Sequence, residues 1–277
     1  MSYAGKRVFI SGGSEGIGRA AAVQLASEGA HVCVAARRQG PLDDTVAAMK
    51  AVAKGDLVLT SIAVDMTDPV AVQAAADEAL TKLGGLDLLI CNQGFAHTGR
   101  ILDIPIEDFK RLIDVNYLGH AYACRAFAGH FLKQKSGTIV LVSSAFGYLG
   151  AYGWTAYCGS KWAIVGFAEA LRQEMMLHGV SVKVFYPGTT ETPGLDKENA
   201  DKPKVVWEFE HNNAFNVVRK PDDVARRLLV AAQGSLFDNP SGWDGWLSFL
   251  ASRFTPWLVR MLNDGDIRKA IAKHGET

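Results

Sequence analysis

The sequence predicts an α/β fold with a doubly wound parallel sheet of six or seven strands and helices on both faces. Short apolar or β-branched runs alternate with longer helical patterns, which is typical of a parallel sheet covered by helices. A glycine-rich loop directly follows the first strand-like run. The 277 residues, 48% of them hydrophobic, provide enough material for one large domain with its own core.

The predicted elements follow one another in a regular order. The strand-like runs are RVFIS, HVCVAA, LVLTSIAV, LDLLIC, TIVLVSS and VSVKVFYPG, and the pattern allows a short seventh strand near Leu236. The helical patterns are GIGRAAAVQLASEG, residues 41–54, PVAVQAAADEALTKL, a long helix from about Pro105, and a helix that contains Tyr157 and Lys161. Because such a sheet binds ligands at the carboxyl ends of its strands, we expect the functional site in the loops that follow them.

Composition argues against several classes of protein. Lys plus Arg and Asp plus Glu each total 29, so the charge balance suggests no nucleic-acid partner. The four cysteines are scattered without a CxxC motif and the histidines form no HExxH motif, so we expect no metal site. The first residues run directly into a strand-like segment without an apolar leader, and we therefore expect a cytoplasmic protein.

The loop after the first strand, SGGSEGIG, favours a dinucleotide phosphate site. Side chains at its glycines would block the approach of a pyrophosphate to backbone N–H groups and to the positive end of the following helix. The GxxxGxG spacing differs from the GxGxxG fingerprint, and glycine-rich turns also occur merely as tight connections. The strand before and the helix after favour the cofactor interpretation, in which the binding residues are Gly12, Ser14, Gly16, Ile17 and Gly18.

The end of the second strand predicts which dinucleotide binds. An NAD site usually offers Asp or Glu to the ribose 2′-hydroxyl, whereas this chain has Ala36, Arg37 and Arg38. An arginine favours a 2′-phosphate, so we expect NADPH/NADP+ as cofactor, although both arginines would also be ordinary on a surface loop. Asp65, after the third strand, is placed either to accept the adenine amino group or to cap the helix starting near Pro69.

Tyr157 and Lys161 lie four residues apart in AYCGSKW, which brings both side chains to one face of a helix. A free tyrosine keeps its proton to about pH 10, and a nearby positive charge lowers that pKa toward the range where proton transfer is useful. The spacing alone is also compatible with a half-buried tyrosine beside a solvated lysine. Catalysis therefore needs support from other residues.

That support comes from a resemblance to the short-chain dehydrogenase/reductase family, which covers the chain from about Lys6 to Gly234. The family's Asn-Asn-Ala-Gly-like strand end is replaced by CNQG, with Asn92 and Gly94 at matching positions and Gln93 as a departure. A helix asparagine of the family matches Asn116 in DVNYLG, and its catalytic serine matches Ser144 in VSSAFG. The resemblance implies a Rossmann-type fold.

The resemblance also implies a role for each matching residue. Ser144 holds the substrate oxygen, Tyr157 gives it a proton, and Lys161 lowers the pKa of Tyr157 and binds the nicotinamide ribose. Asn116, through its backbone carbonyl at a helix kink and a water molecule, connects Lys161 to solvent. Cofactor contacts are implied for Asn92, Gly94, Pro187, Gly188 and Thr192, although TETPG is also a good capped turn in its own right.

The stretch YPGTTETPGLDKENADKP is similar to the corresponding loop of reductases that act on long-chain 3-keto sphingoid bases. NYLGHAYACRA resembles part of their long helix. The resemblance implies a long-chain lipid ketone as substrate and a homodimer or homotetramer as the assembly. Another lipid ketone, such as a steroid or 3-oxoacyl derivative, and a catalytically silent NADP(H)-binding module are the alternatives, because fold alone does not select a substrate.

The tail is interpreted as a helical extension, residues 241–277, of a catalytic domain formed by residues 1–240. Its apolar stripe comprises Trp243, Trp246, Leu247, Leu250, Phe254, Trp257, Leu258 and Met261. Asp244, Ser248, Ser252, Thr255 and Arg260 are expected largely outside this stripe, and Pro256 is expected to split it into two helices with Thr255 as N-cap. The stripe packs either on its own domain or a partner subunit, or else contacts the membrane interface peripherally as an entrance for a lipid substrate.

Overall fold

The computed structural model describes residues 2–200, 202–212 and 217–275. Within these residues, one parallel sheet has the strand order β3-β2-β1-β4-β5-β6-β7. The strands are β1 (Arg7–Ser11), β2 (His31–Ala36), β3 (Leu59–Ala63), β4 (Leu88–Cys91), β5 (Gly137–Val142), β6 (Val180–Tyr186) and β7 (Asp238–Pro240). The sheet confirms the predicted fold class, including a short last strand just after Leu236.

Helices cover both faces of the sheet. They are α1 (Gly16–Ser27), α2 (Gln39–Val52), α3 (Pro69–Leu83), α4 (Ile106–Leu112), α5 (Gly119–Gln134), α6 (Thr155–Met176), α7 (Pro193–Ala200), α8 (Lys204–Asn212), α9 (Pro221–Gln233), α10 (Gly242–Phe254) and α11 (Pro256–His274). Residues of α1, α2 and α9 form the core on one face, and residues of α3, α5 and α6 form the core on the other. In β1, Val8 and Ile10 belong to the first core and Phe9 to the second, as expected for a strand buried on both sides.

The order of the strands determines where the functional site lies. The chain moves outward from β1 to β3 and then returns to pair β4 with the other side of β1. This reversal opens a crevice at the carboxyl ends of β1 and β4, where open α/β sheets bind their ligands. The loops that begin at Gly12 and Asn92 therefore face each other across it.

The long helix expected from about Pro105 is interrupted. A π-helical segment, Ile113–Leu118, lies between α4 and α5 and contains Asn116. Such π-helical turns are rare and occur frequently at functional sites. At Asn116 the structure thus shows a local change from α-helical to π-helical hydrogen bonding.

The tail forms two helices separated at Thr255 and Pro256, as predicted. Thr255 is at the N-cap position of α11 but its hydroxyl donates to the Ala251 carbonyl, so the expected side-chain cap is absent. Asp244, expected outside the apolar stripe, is buried in an ion pair with Arg219.

The apolar stripe divides into two parts. Trp246 is partly buried against Phe249, which contacts Tyr148 and Tyr186 in the main core. The other large side chains of the stripe, apart from half-buried Leu258, are exposed: Trp243 (70%), Leu247, Leu250, Phe254 (79%), Trp257 (65%) and Met261. None of the helices in the described parts of the chain combines the length and the apolar character that a membrane span needs.

Candidate active site

A cleft of about 610 Å³ lies at the carboxyl ends of β1, β2 and β4. Ten of the residues predicted to bind cofactor line it: Gly12, Ser14, Gly16, Ile17, Arg37, Arg38, Asp65, Asn92, Gly94 and Thr192. The structure therefore brings together loops that are far apart in the sequence. Gly18, Pro187, Gly188, Ser144, Tyr157, Lys161 and Asn116 do not line this cleft.

The glycine-rich loop is shaped by close backbone contacts. A Cβ at Gly18 would lie 2.2 Å from the Gly12 carbonyl oxygen, and a Cβ at Gly12 would lie 2.7 Å from the Gln93 backbone. The Asn92 side-chain amide donates to the Gly12 carbonyl at 3.0 Å and holds the two loops together. The loop thus presents backbone rather than side chains at the start of α1, which is the cradle that a pyrophosphate requires.

The two arginines after β2 have different surroundings. Arg38 pairs with the Glu15 carboxylate at 2.6 Å and neutralises a negative charge at the mouth of the cleft. Arg37 is exposed and lines the cleft directly after Ala36. An anionic group bound here would meet a guanidinium and no carboxylate at the end of β2, which fits a 2′-phosphate better than a bare ribose hydroxyl.

Asp65 does not cap the following helix, so that alternative is excluded. The cap of α3 is Asp68, whose carboxylate accepts from the backbone N–H groups of Val70 and Ala71. Asp65 instead accepts from the Thr67 N–H and hydroxyl, both at 2.9 Å. This turn fixes the Asp65 carboxylate at the rim of the cleft.

Gln93, the departure from the family pattern, is buried beneath the cleft. Its side-chain oxygen accepts a short hydrogen bond from the Ser11 hydroxyl, and its amide nitrogen lies against Gly119 at the start of α5. His120, next along α5, is fully buried, and within the described residues neither ring nitrogen has a well-aligned hydrogen-bond partner. Burial and the charge of Lys161 lower the pKa of His120 to about 3, so this imidazole is neutral.

Tyr157 and Ser144 meet beside the cleft. Ser144 precedes a 3₁₀ turn, Ala145–Gly147, and its hydroxyl oxygen accepts from the Phe146 N–H at 3.2 Å. Burial raises the pKa of Tyr157 well above its ordinary value, and hydrogen bonding with Ser144 offsets only part of that effect. The phenol is therefore fully protonated at neutral pH and available as a proton donor.

Lys161 is buried below Tyr157. Its ammonium Nζ lies 5.7 Å from the centroid of the Tyr157 ring and donates to the Val142 carbonyl at 3.2 Å. Burial lowers the pKa of Lys161 to about 7. The expected lowering of the Tyr157 pKa by Lys161 is not found here, because burial dominates that pKa and the charged group that acts on it most strongly is Glu198.

The side-chain amide of Asn116 forms three hydrogen bonds. The amide nitrogen donates to the Phe95 carbonyl at 3.0 Å and to the Ser160 hydroxyl at 2.9 Å, and the amide oxygen accepts from the Phe95 N–H. A Cβ at Gly94 would lie 3.1 Å from the Asn116 amide oxygen and 3.2 Å from the Lys161 nitrogen. Asn116, Lys161 and the loop after β4 therefore converge on Gly94.

The loop after β6 contacts both the serine turn and the glycine-rich loop. The Pro187 carbonyl accepts from the Ala145 N–H at 3.3 Å, and the Gly188 carbonyl accepts from the Thr190 hydroxyl. Thr192 caps the first turn of α7, since its hydroxyl oxygen accepts from the Leu195 N–H at 3.2 Å. A Cβ at Gly16 would meet the Thr192 methyl at 2.9 Å, so α7 begins directly against the phosphate cradle.

Sequence reasoning missed a charged cluster above Tyr157. The Lys202 ammonium lies 2.6 Å from the carboxylates of both Glu198 and Glu210, with only 1% of its side chain exposed. It also lies over the rings of Trp154 and Trp207. In the sequence, the ENADKP segment carries only a resemblance, because a pairing that joins α7 to α8 through Lys202 depends on tertiary structure.

No group of His, Cys, Asp and Glu side chains in the described ranges could hold a metal ion. Cys33, Cys91 and Cys124 are buried packing residues, and Cys158 is half-buried.

Comparison with known proteins gives the family. A short chain dehydrogenase model matches residues 6–203. The 3-ketodihydrosphingosine reductase of Bos taurus is 34% identical over 252 residues, which are 89% of this chain and 74% of the relative. The 3-dehydrosphinganine reductase of Danio rerio is 34% identical over 255 residues, 91% of this chain and 76% of the relative.

A solved structure supports the same family assignment. A short-chain type dehydrogenase/reductase from Mycobacterium marinum superposes with a TM-score of 0.75 at 29% identity, covering 83% of this chain and 89% of that one. The chain belongs to the short-chain dehydrogenase family. It is an oxidoreductase that uses a nicotinamide cofactor, and its glycine cradle fits the diphosphate of that group.

Proposed function

We propose that this protein is an NADPH-dependent reductase of a long-chain 3-keto sphingoid base, converting 3-ketodihydrosphingosine to dihydrosphingosine in sphingolipid synthesis. The observation that carries the reaction type is the pairing of the Ser144 and Tyr157 hydroxyls, with Lys161 beneath the tyrosine ring. The substrate class is supported by the relatives, which are named as reductases of this ketone and align with about nine tenths of the chain.

The protein's own residues orient the substrate and supply the proton for its carbonyl oxygen. Hydride delivered to the carbonyl carbon is the chemistry that the bound nicotinamide contributes. Ser144 holds the carbonyl oxygen by a hydrogen bond, and the negative charge that develops there is neutralised by the proton of Tyr157. Because burial raises the pKa of Tyr157, the hydroxyl enters each turnover protonated and gives up that proton only to a strongly basic oxygen.

Lys161 and Asn116 restore the proton to Tyr157. With its pKa lowered to about 7, Lys161 can exchange a proton near neutral pH. Asn116 fixes the loop after β4 against α6 through Phe95 and Ser160. Lys161 thereby keeps a defined position next to Gly94, where the nicotinamide ribose is expected.

Preference for NADPH follows from Arg37. The guanidinium stands free of a carboxylate partner in the described residues and lines the cleft at the end of β2. A guanidinium binds a phosphate through two parallel, charge-assisted hydrogen bonds. The pairing of Glu15 with Arg38 neutralises one carboxylate of the cleft that would repel the phosphate.

The exposed tail residues form a membrane-contact surface in this proposal. Trp243, Phe254 and Trp257 place large aromatic area in solvent on α10 and α11. Aromatic side chains of this kind favour the interface between lipid headgroups and acyl chains. A ketone with a long alkyl chain resides in that interface, so peripheral attachment from the cytoplasmic side brings the cleft to its substrate.

Turnover with a panel of ketones tests this function. Purified protein is supplied with NADPH and either 3-ketodihydrosphingosine, a 3-oxoacyl thioester or a 3-ketosteroid, and the alcohol is measured by mass spectrometry. The proposal predicts the highest kcat/KM with the keto base. Preference for a steroid or an acyl thioester would make this a reductase of another lipid ketone, and no alcohol from any substrate would favour a silent cofactor-binding module.

A further inference from the structure

The loop after β6, residues 187–192, connects the two ends of the active site. At one end, the Pro187 carbonyl accepts from the backbone N–H of the residue after Ser144 at 3.3 Å. At the other end, a Cβ at Gly16 in the phosphate cradle would lie 2.9 Å from the Thr192 methyl group. A dinucleotide that has its diphosphate at Gly16 and its reactive ring near Ser144 therefore lies along this loop.

Arg219 holds the middle of this loop through its backbone. Its N–H donates to the Thr189 carbonyl at 3.0 Å, and its own carbonyl accepts from the Glu191 N–H at 2.9 Å. These two hydrogen bonds form a short parallel bridge between Thr190 and Arg219. The guanidinium lies alongside the same loop, since a Cβ at Gly188 would be 3.6 Å from the Arg219 Nη1. The shape of the loop therefore depends on where Arg219 is held.

The position of Arg219 is fixed by a buried carboxylate from the tail. Its Nη1 donates to one carboxylate oxygen of Asp244 at 3.1 Å, and its Nη2 donates to the other. Only 10% of the Arg219 side chain and 4% of the Asp244 side chain are exposed. Such a bidentate pair fixes the direction of the guanidinium as well as its distance, and burial reduces its screening by salt.

The start of α10 is built closely around this ion pair. Gly242 has a φ of +85°, a conformation that favours glycine, and a Cβ there would lie 2.6 Å from an Asp244 carboxylate oxygen and 2.7 Å from the Arg219 Nη2. The Ser241 N–H donates to the Tyr186 carbonyl at 2.9 Å. The tail thus contacts the chain directly before the loop and, through Arg219, reaches its middle.

A buried ion pair adds little net stability, because desolvation of both groups offsets their attraction, but it imposes a defined geometry on the segments that it joins. We propose that Arg219, locked by Asp244 of the tail, is a positioning residue that holds the loop after β6 in the shape required by the nicotinamide half of the cofactor. Asp244 thereby makes the tail part of the cofactor site. The inference rests on the proposed function in taking NADPH as that cofactor.

Binding of two ligands to the full-length protein distinguishes this role from a general effect on the fold. NADPH contains both halves of the dinucleotide, whereas adenosine 2′,5′-bisphosphate contains the adenosine half alone. Asp244→Asn should raise the Kd for NADPH by about 10-fold and change the Kd for the bisphosphate by less than about threefold, because only the nicotinamide half depends on the loop. The control, Asp266→Asn, removes a surface ion pair with Lys269 from α11 and should change neither Kd.

Calorimetric titration measures both dissociation constants, and circular dichroism checks that each variant is folded. Equal losses of affinity for the two ligands, or an unchanged affinity for NADPH, would overturn the positioning role. Should Asp244→Asn not fold, the double variant Arg219→Met with Asp244→Leu decides, because apolar replacement of a buried ion pair is often neutral for stability. A double variant that binds NADPH as tightly as the wild type does would refute the inference.

The binding test separates this inference from the function on which it rests. It needs no ketone, so a protein that does not reduce 3-ketodihydrosphingosine still gives the result. If the wild type binds NADH rather than NADPH, the NADPH preference fails first, and the same comparison with NADH and AMP then decides the role of Arg219.

Discussion

The buried His120 should make the stability of this protein depend on pH in a way that one substitution removes. In the folded state the pKa of His120 is lowered to about 3, because burial and the nearby Lys161 disfavour the imidazolium. In the unfolded chain a histidine has a pKa of about 6.5. Between these two values the unfolded state binds a proton that the folded state does not, so the free energy of unfolding falls as the pH falls below 6.5.

The magnitude follows from the width of that window. Each pH unit between 6.5 and 3 removes about 1.4 kcal/mol, so His120 should lower the free energy of unfolding by about 2 kcal/mol between pH 7.5 and pH 5. His120→Gln removes this contribution because glutamine does not titrate. The variant is expected to be less stable at pH 7.5, owing to imperfect packing, but to lose less stability on acidification.

Urea unfolding followed by circular dichroism at a series of pH values measures this difference. Carboxylates elsewhere titrate in both proteins and cancel when the two profiles are subtracted. His178→Gln is the matched control, since His178 is exposed at the end of α6. Parallel stability profiles for wild type and His120→Gln between pH 7.5 and pH 5 would refute the assignment of a neutral, buried imidazole.

Three further predictions concern the cofactor, the serine and the tail. Arg37→Ala should lower kcat/KM for NADPH by about 10- to 100-fold and leave NADH nearly unchanged; equal efficiency of the wild type with both cofactors would contradict the assignment. Ser144→Ala should lower kcat by about 100-fold, less than loss of the proton donor, since its hydroxyl stabilises charge without transferring the proton; unaltered kcat would remove it from the site. Trp243→Ser combined with Trp257→Ser should abolish flotation with anionic liposomes while activity on a short, soluble ketone persists; wild-type protein that fails to float would rule out membrane contact.

Local patterns in the sequence were sufficient to predict most of the fold. The alternation of strand and helix patterns predicted the parallel sheet because a strand buried on both faces reads as a continuous apolar run, as in β1. The four-residue spacing of Tyr157 and Lys161 predicted two side chains on one face of a helix, and both lie on α6, whereas Ser144, two residues after β5, was placed by the family resemblance. These features depend on chain geometry over short distances.

Features that depend on tertiary contacts were not predicted. The cap of α3 is a local exception that the sequence analysis left open between two roles of Asp65; the cap is Asp68, as the proline at the first helical position indicates. The buried ion pair between Asp244 and Arg219 was not predicted, because it joins residues that are 25 positions apart in the chain. The pairing of Lys202 with Glu198 and Glu210 joins two helices through side chains alone, and no periodicity in the sequence marks it.

The most direct test of the account is the reduction of 3-ketodihydrosphingosine by the wild type and by Tyr157→Phe, with NADPH binding measured in parallel by fluorescence. The wild type should oxidise one NADPH for each dihydrosphingosine formed. Tyr157→Phe should lower kcat by at least about 100-fold and still bind NADPH, because the ring remains while the transferable proton is lost. A phenylalanine variant that retains most of its turnover would contradict the account, because the proton would then come from elsewhere.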